Sequence, residues 1–223
     1  LYFSRLIEIL ASIKHHLPNT AVHMLSNGRR LSRLAHARRI AQVGLSDFMI
    51  GVPLYADVAA IHDFVVQAKG AFEETIFGIL NLARVGIRIE LRIIVHRETY
   101  AHLPRFAQFV ARNLPFVDQV TFMGLELTGY ARSNLDALWI DPFEYQNQLE
   151  EAVDLLDCAG IHALIFNHPL CVLSPSLHSF SRQAISDWKN IYFPECGGCG
   201  KKADCGGFFA SSSLRHSEHI KPF

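Results

Sequence analysis

The sequence carries no excess charge: 21 Lys and Arg face 21 Asp and Glu in 223 residues, a formal net charge of zero. That balance argues against broad nucleic-acid binding and disfavours a long acidic substrate. No apolar run is long enough to cross a bilayer, and the first residues show no signal-peptide pattern. Nothing therefore points to a nucleic-acid or membrane partner, and a cytoplasmic location is expected. The Gly-x-Gly-x-x-Gly fingerprint is missing, so a dinucleotide fold has no direct support. A Gly-x-Ser-x-Gly elbow is missing too, which counts against a hydrolase on a β/α scaffold. Cysteine is scarce and odd in number, five in all, a poor basis for a disulfide framework. Charged residues make up only 19% and apolar residues 50%, which excludes disorder and leaves enough for one sizeable core or two small ones.

The chain opens on Leu1 and reads at once as the middle of a helical segment, so it reads as a fragment or an internal start. Phe3, Leu6, Leu10, Ile13 and Leu17 form one apolar helical stripe, stopped by Pro18 and Asn19. A short strand, 21–27, runs into the Ser26-Asn27-Gly28 turn. The pattern then repeats: a helix over 31–43, a strand over 48–54, and a polar loop with Asp57, His62 and Asp63. A helix from Phe72 to Ala83 and a strand over 87–95 follow. That strand places Ile87, Ile89, Leu91, Ile93 and Val95 on one face and Arg88, Glu90 and Arg92 on the other. Next come a helix over 103–113 and a strand over 119–127. Asp141-Pro142-Phe143-Glu144 is a capped helix start. That helix runs to Gly160, with Cys158 read as a core residue in its last turn, and a strand over 161–166 closes the series. Units of about thirty residues that switch between sheet and helix patterns predict an α/β fold with parallel strands. Either an open sheet or part of a barrel fits the periodicity. From Asn167 the texture becomes loop-rich.

Three of the cysteines crowd together. Cys196-Gly-Gly-Cys199 is a tight chelate, Cys205 follows, and Cys171 would supply a fourth thiolate from the loop after the last strand. Four thiolates fit either zinc or a [4Fe–4S] cluster, and spacing excludes neither. A thioredoxin-like pair needs an amphipathic helix after the motif, where glycine stands instead.

Ligands in parallel β/α folds bind at the carboxyl ends of the strands. Ser26 and Asn27, Asp57 and His62, Arg92 and Arg97, and Glu126 with Thr128 fall there. Each has a plainer role available: Asn27-Gly28 as a turn, Glu90 and Arg92 as an interior ion pair, His23 as a hydrogen-bonded core histidine.

The strand ending in Ser26-Asn27-Gly28 resembles the third barrel strand of radical SAM enzymes, whose Ser/Thr-Asn-Gly turn lies beside S-adenosylmethionine. The family's Cys-x-x-x-Cys-x-x-Cys loop and Gly-Gly-Glu turn do not occur here and are expected before Leu1. Five further blocks resemble the type C radical SAM maturase of the His-Xaa-Ser system: Phe72-Glu-Glu-Thr-Ile-Phe-Gly-Ile, Met123-Gly-Leu-Glu126 with Thr128-Gly129, Leu138-Trp-Ile-Asp-Pro142, Asn167-His-Pro-Leu-Cys171 and Ile185-Ser-Asp-Trp-Lys189. The resemblance implies a partial radical SAM β/α barrel over 1–166 and an auxiliary-cluster extension over 167–223. It implies Ser26, Asn27, Asp57, Arg92 and Glu126 near S-adenosylmethionine, and Cys171, Cys196, Cys199 and Cys205 on an auxiliary [4Fe–4S] cluster. Where the family's longer cysteine pattern continues, Phe209 stands here, which argues for one auxiliary cluster rather than two. In the full-length enzyme a catalytic [4Fe–4S] cluster would cleave S-adenosylmethionine to a radical that takes hydrogen from the substrate. This chain alone, without that cluster's ligands, is expected to be inactive. The implied partners are a His-Xaa-Ser repeat protein as substrate, a second radical SAM maturase, and a reductant such as flavodoxin or ferredoxin. The competing reading is a non-catalytic β/α domain with a four-cysteine zinc site, where the metal stabilises a tail poor in apolar residues.

Overall fold

A computed structural model describes residues 3–183 and 190–223. The Ile185–Lys189 block lies outside the described residues. Helix α1 is Phe3–His16, followed by β1, Val22–Leu25. Alternating elements follow: α2 (Leu34–Ala41), β2 (Phe48–Pro53), α3 (Ala59–Val66), α4 (Ala71–Arg84), β3 (Arg88–Val95), α5 (Leu103–Asn113) and β4 (Gln119–Gly124). Then come α6 (Gly129–Ser133), α7 (Leu135–Leu138), α8 (Gln146–Cys158), β5 (His162–Phe166) and β6 (Ser181–Arg182). Short 3-10 turns dominate thereafter, with β7 (Asn190–Ile191) antiparallel to β8 (Phe208–Phe209).

The main sheet has six strands in chain order, β1 to β6. Pairing is parallel where β1 meets β2, β2 meets β3 and β5 meets β6. Sequential order without a reversal is the order of a β/α barrel, whereas a doubly wound sheet reverses at its switch point. The open choice between barrel order and doubly wound order is thereby settled.

Contacts divide the chain into two compact units. The first holds Leu1–Leu54, Val58–Arg92 and Phe116–Gln119. Its core takes Leu10, Leu31, Ala37, Ile40, Ile50, Val52, Ile79, Leu82, Ile89 and Leu91. The second holds Tyr55–Asp57, Ile93–Pro115 and Val120–Phe223, with Leu103, Phe106, Val110, Phe122, Tyr145, Leu149, Val153, Leu156 and Ile165 buried.

Several sequence expectations need correction. The polar loop after β2 contains a two-turn helix, α3, ended by Gln67 in the left-handed conformation (φ 53°). Its β-branched residues and the lack of a capping side chain hid it. The 31–43 helix is a 3-10 turn over Arg29–Ser32 followed by α2. β4 stops at Gly124, whose Cα lies against the Asn167 carbonyl with no room for a side chain. β6 was missed, since two residues carry no period. Cys158 is not in the core: it is exposed. On α8 the buried positions are Leu149, Ala152, Val153 and Leu156, and two residues past Leu156 a helix has turned about 200° to the opposite face.

Candidate functional site

In the first unit, the Ser26-Asn27-Gly28 turn leaves β1 and is fixed by its own side chains. Ser26 N–H donates to the Gly51 carbonyl at 3.0 Å, holding the strand end in the sheet. The Ser26 hydroxyl accepts from Gly28 N–H at 3.2 Å, and Asn27 Oδ1 accepts from Arg29 N–H at 3.4 Å. Gly28 adopts φ 73°, a left-handed value that a side chain disfavours.

Helix α4 packs on this turn, which explains what the sequence block beginning at Phe72 is for. Thr75 Oγ1 donates to the Asn27 carbonyl at 3.3 Å, and Glu74 pairs with Arg29 Nε at 2.5 Å. Gly78 lies directly against the Gly28 carbonyl, where any Cβ would collide. Asn81 Nδ2 donates to the Leu31 and Ser32 carbonyls, each at 2.8 Å. Upstream, the Asp63 carboxylate accepts from Gly70 and Phe72 N–H at 2.5 and 2.7 Å, ordering the entry to α4. Those backbone donors, Phe72 first, hold its carboxyl below the ordinary range. His62, expected at a strand end, instead lies on α3. It is buried, packs edge-on against Phe72, and is held neutral by burial.

Arg92 and Glu90 share one face of β3, as the alternation predicts. Glu90 is buried. Its Oε2 lies 2.8 Å from His23 Nε2 and 3.9 Å from Arg92 Nε, and its Oε1 accepts from Gln119 Nε2 at 3.0 Å. Gly51 makes this row possible: a Cβ there would sit 2.7 Å from Leu25, 2.8 Å from Glu90 and 3.1 Å from His23. The plainer ion-pair reading of Glu90 and Arg92 thus describes the contact, enlarged by His23 and Gln119, which sequence reasoning did not connect. The row lies on one sheet face across β1, β3 and β4, and only strand register brings it together.

In the second unit, Asp57 pairs through Oδ2 with Arg105 Nη2 at 3.3 Å. Its buried Oδ1 has no hydrogen-bond partner among the described residues, a desolvated acceptor directed at no donor. Glu126 follows β4, where its carbonyl accepts from Thr128 N–H at 2.9 Å. Arg97 is a brace rather than a ligand-facing group: its N–H bonds the Leu138 carbonyl at 2.8 Å and its Nη2 bonds the Trp139 carbonyl at 3.1 Å. Asp141 caps the turn at Pro142 as expected, accepting from Phe143 N–H at 3.0 Å, and its other oxygen takes Glu218 N–H at 3.3 Å.

The cysteine loops belong to this unit. Cys171, Cys196, Cys199 and Cys205 line one small cavity, with Tyr192, Lys201, Lys202, Phe208, Ile220 and Phe223 around them. Leu170 N–H and Gly207 N–H each donate to Cys205 Sγ at 3.4 Å. Burial pushes the Cys171 and Cys196 thiols up, helped by neighbouring cysteines, Cys205 first in each case. Among the described residues no three His, Cys, Asp or Glu side chains converge closely enough to ligate a single metal ion. The four cysteines share the lining of this one cavity.

Immediately before Cys171, Asn167-His168-Pro169 is a rigid approach. Asn167 takes a left-handed φ of 64°. His168 Nδ1–H donates to the Phe166 carbonyl at 2.9 Å, so its Nε2 accepts from the Tyr145 hydroxyl at 2.7 Å. Burial lowers the His168 pKa to about 4 and raises that of Tyr145. A neutral, fully enclosed pair therefore fixes the loop that delivers Cys171.

No family model matches the chain, and no curated protein matches it. Its fold is similar to a solved domain of pyruvate-formate lyase-activating enzyme from Bacteroides vulgatus, with a TM-score of 0.56 at 13% identity over 74% of this chain and 91% of that one. Streptococcus suis SuiB is matched at lower scores. Bound to S-adenosylmethionine it gives 0.48 at 11% identity over 86% of this chain and 48% of that one. Bound to precursor peptide SuiA it gives 0.49 at 11% over 73% and 42%. The chain thus spans less than half the length of the SuiB chains. At 13% identity the likeness to the activating-enzyme domain establishes the fold alone.

Proposed function

We propose that the chain is a portion of a radical SAM enzyme that modifies a peptide or protein, the type C maturase of the His-Xaa-Ser system. Residues 1–166 would form the cofactor-binding β/α portion and 167–223 an auxiliary-cluster region. The carrying observation is the shared cavity of Cys171, Cys196, Cys199 and Cys205. Four thiols lining one cavity could together hold a metal centre such as a [4Fe–4S] cluster. Lys201 and Lys202 on the cavity wall oppose the charge of four thiolates, and N–H groups directed at Cys205 fit a ligated sulfur.

The sequential parallel strand order and the braced Ser26-Asn27-Gly28 turn support the superfamily reading. In the first unit, Ser26, Asn27 and Arg92 would border S-adenosylmethionine, which when bound supplies the radical chemistry. The protein's own part would be to hold the turn rigid through Thr75 and Gly78 and to keep water from the site. The substrate would be a His-Xaa-Ser repeat protein, with a second maturase and an electron donor as partners.

Anaerobic iron and sulfide analysis tests this. Cys199→Ser should remove most iron from reconstituted protein, while Cys158→Ser, on the exposed outer face of α8, should leave it unchanged. Stoichiometric zinc with no iron would support the structural zinc domain instead.

A further inference from the structure

We infer that the segment Ile220–Phe223 is the closing wall of the cysteine cavity and governs how freely water and small reagents reach its sulfurs. This rests on reading the four cysteines as one metal site, and it adds residues that carry no metal-ligating side chain. Ile220, Pro222 and Phe223 line the cavity with the cysteines. Between them, the Lys221 backbone hydrogen-bonds Cys171.

The segment also ties the two halves of the cysteine set together. Gly200 N–H, next to Cys199, donates to the Phe223 carbonyl at 2.9 Å. The Phe223 ring lies edge-on to His178 at 5.6 Å and beneath Lys201 Nζ at 4.4 Å. His178 joins these groups: its Nε2–H donates to the Leu170 carbonyl at 3.0 Å, which leaves Nδ1 to accept from Lys201 Nζ at 3.2 Å. Phe223, Lys201 and His178 thus latch the Cys196–Cys205 loop to the residue preceding Cys171.

Just upstream the segment is anchored. His219 stacks on Phe143 at 3.9 Å, and Glu218 N–H bonds Asp141 at 3.3 Å. Residues 221–223 are exposed to solvent on their other side. Replacing the wall's largest side chain should open the cavity without removing any core residue. The shell around a metal site sets its solvent access and dielectric, so this wall is a positioning and shielding element.

The test measures alkylation of the reduced, metal-free protein by iodoacetamide, followed by peptide mapping, with exposed Cys158 as the internal standard. Phe223→Ala should speed alkylation of Cys171 about tenfold relative to Cys158, as expected of a local opening. Phe223→Leu, which keeps an apolar cover, should stay near the parent rate. In iron-loaded protein of matched initial iron content, Phe223→Ala should bleach in air several-fold faster. Equal Cys171 alkylation in the parent and Phe223→Ala overturns the inference, even if the parent binds iron through Cys199. Protection that depends on Phe223 in a parent that takes up no iron upholds the wall and removes the cluster reading instead.

Discussion

The turn after β1 and the cysteine loops are both irregular backbone, yet opposite forces hold them. The turn at Ser26-Asn27-Gly28 is clamped by a fourteen-residue helix that touches it through Thr75 and through a glycine set against a carbonyl. The buried apolar residues of α2, α4, β2 and β3 lie under it. The cysteine loops have two-residue strands and 3-10 turns. Ring contacts such as Phe193 on Phe208 at 4.7 Å and Arg215 over Trp139 at 4.4 Å join a small buried set, Leu170, Val172, Leu173, Leu177 and Phe208, in packing them. A site held by core packing is rigid without a ligand. One held by hydrogen bonds and rings around four thiols gains most from a metal.

The sharpest way to test that contrast is to add and remove metal. Loading at a thousand times the dissociation constant should stabilise the cysteine loops by roughly 4 kcal/mol. Hydrogen exchange should slow over 190–223 and stay unchanged over 22–54. Equal slowing in both stretches would erase the distinction.

The complementary break is Gly78→Ala, which forces a Cβ into the Gly28 carbonyl. Such overpacking against backbone should cost about 3 kcal/mol, read as a lower urea midpoint of the same size with and without metal. A midpoint unchanged from the parent would mean the turn is not clamped as described.

Acid should weaken the second unit through His168. Its pKa falls from 6.5 unfolded to about 4 folded because of burial, so between those values the unfolded chain binds the extra proton. Stability is therefore complete above about pH 6.5 and declines as pH drops towards 4. From pH 7 to pH 5 the loss should be roughly 2 kcal/mol. His96, also lowered to about 4 by burial, adds a second contribution in the same window. Equilibrium unfolding against pH should show His168→Gln with a distinctly shallower slope than the parent.

The smallest effect is expected at Asp141, which caps the turn at Pro142 and holds Glu218. Asp141→Ala should cost about 1 kcal/mol. It should also raise exchange at the Glu218 and His219 amides, linking the α8 entry to the segment that covers the cysteines.

Much of the fold was legible because long elements carry their period. β3 alternates over eight residues and α4 keeps an apolar stripe over fourteen, so each announced itself. α3 and β6 were hidden, one by β-branched residues without a cap and the other by a length of two. The misplacement of Cys158 has the same root: an apolar neighbour in sequence does not fix the face of a helix end. The Ser26-Asn27-Gly28 turn was legible from its residue types, and the grouping of Cys196, Cys199 and Cys205 from their spacing. The roles of Thr75, Gly78 and Gly51 were not, because each acts on a residue dozens of positions away.

Local propensity and spacing in the chain were enough to fix the alternation of helix and strand, the Ser-Asn-Gly turn and the crowding of Cys196, Cys199 and Cys205. Only the tertiary structure decided that the strands run in sequential order. It alone joined His23, Glu90 and Gln119 across three strands, set the four cysteines around one cavity, and brought Phe223 to its wall. Those outcomes depend on register, on which glycines admit a close approach, and on contacts between distant segments, and none of these leaves a local pattern in the chain.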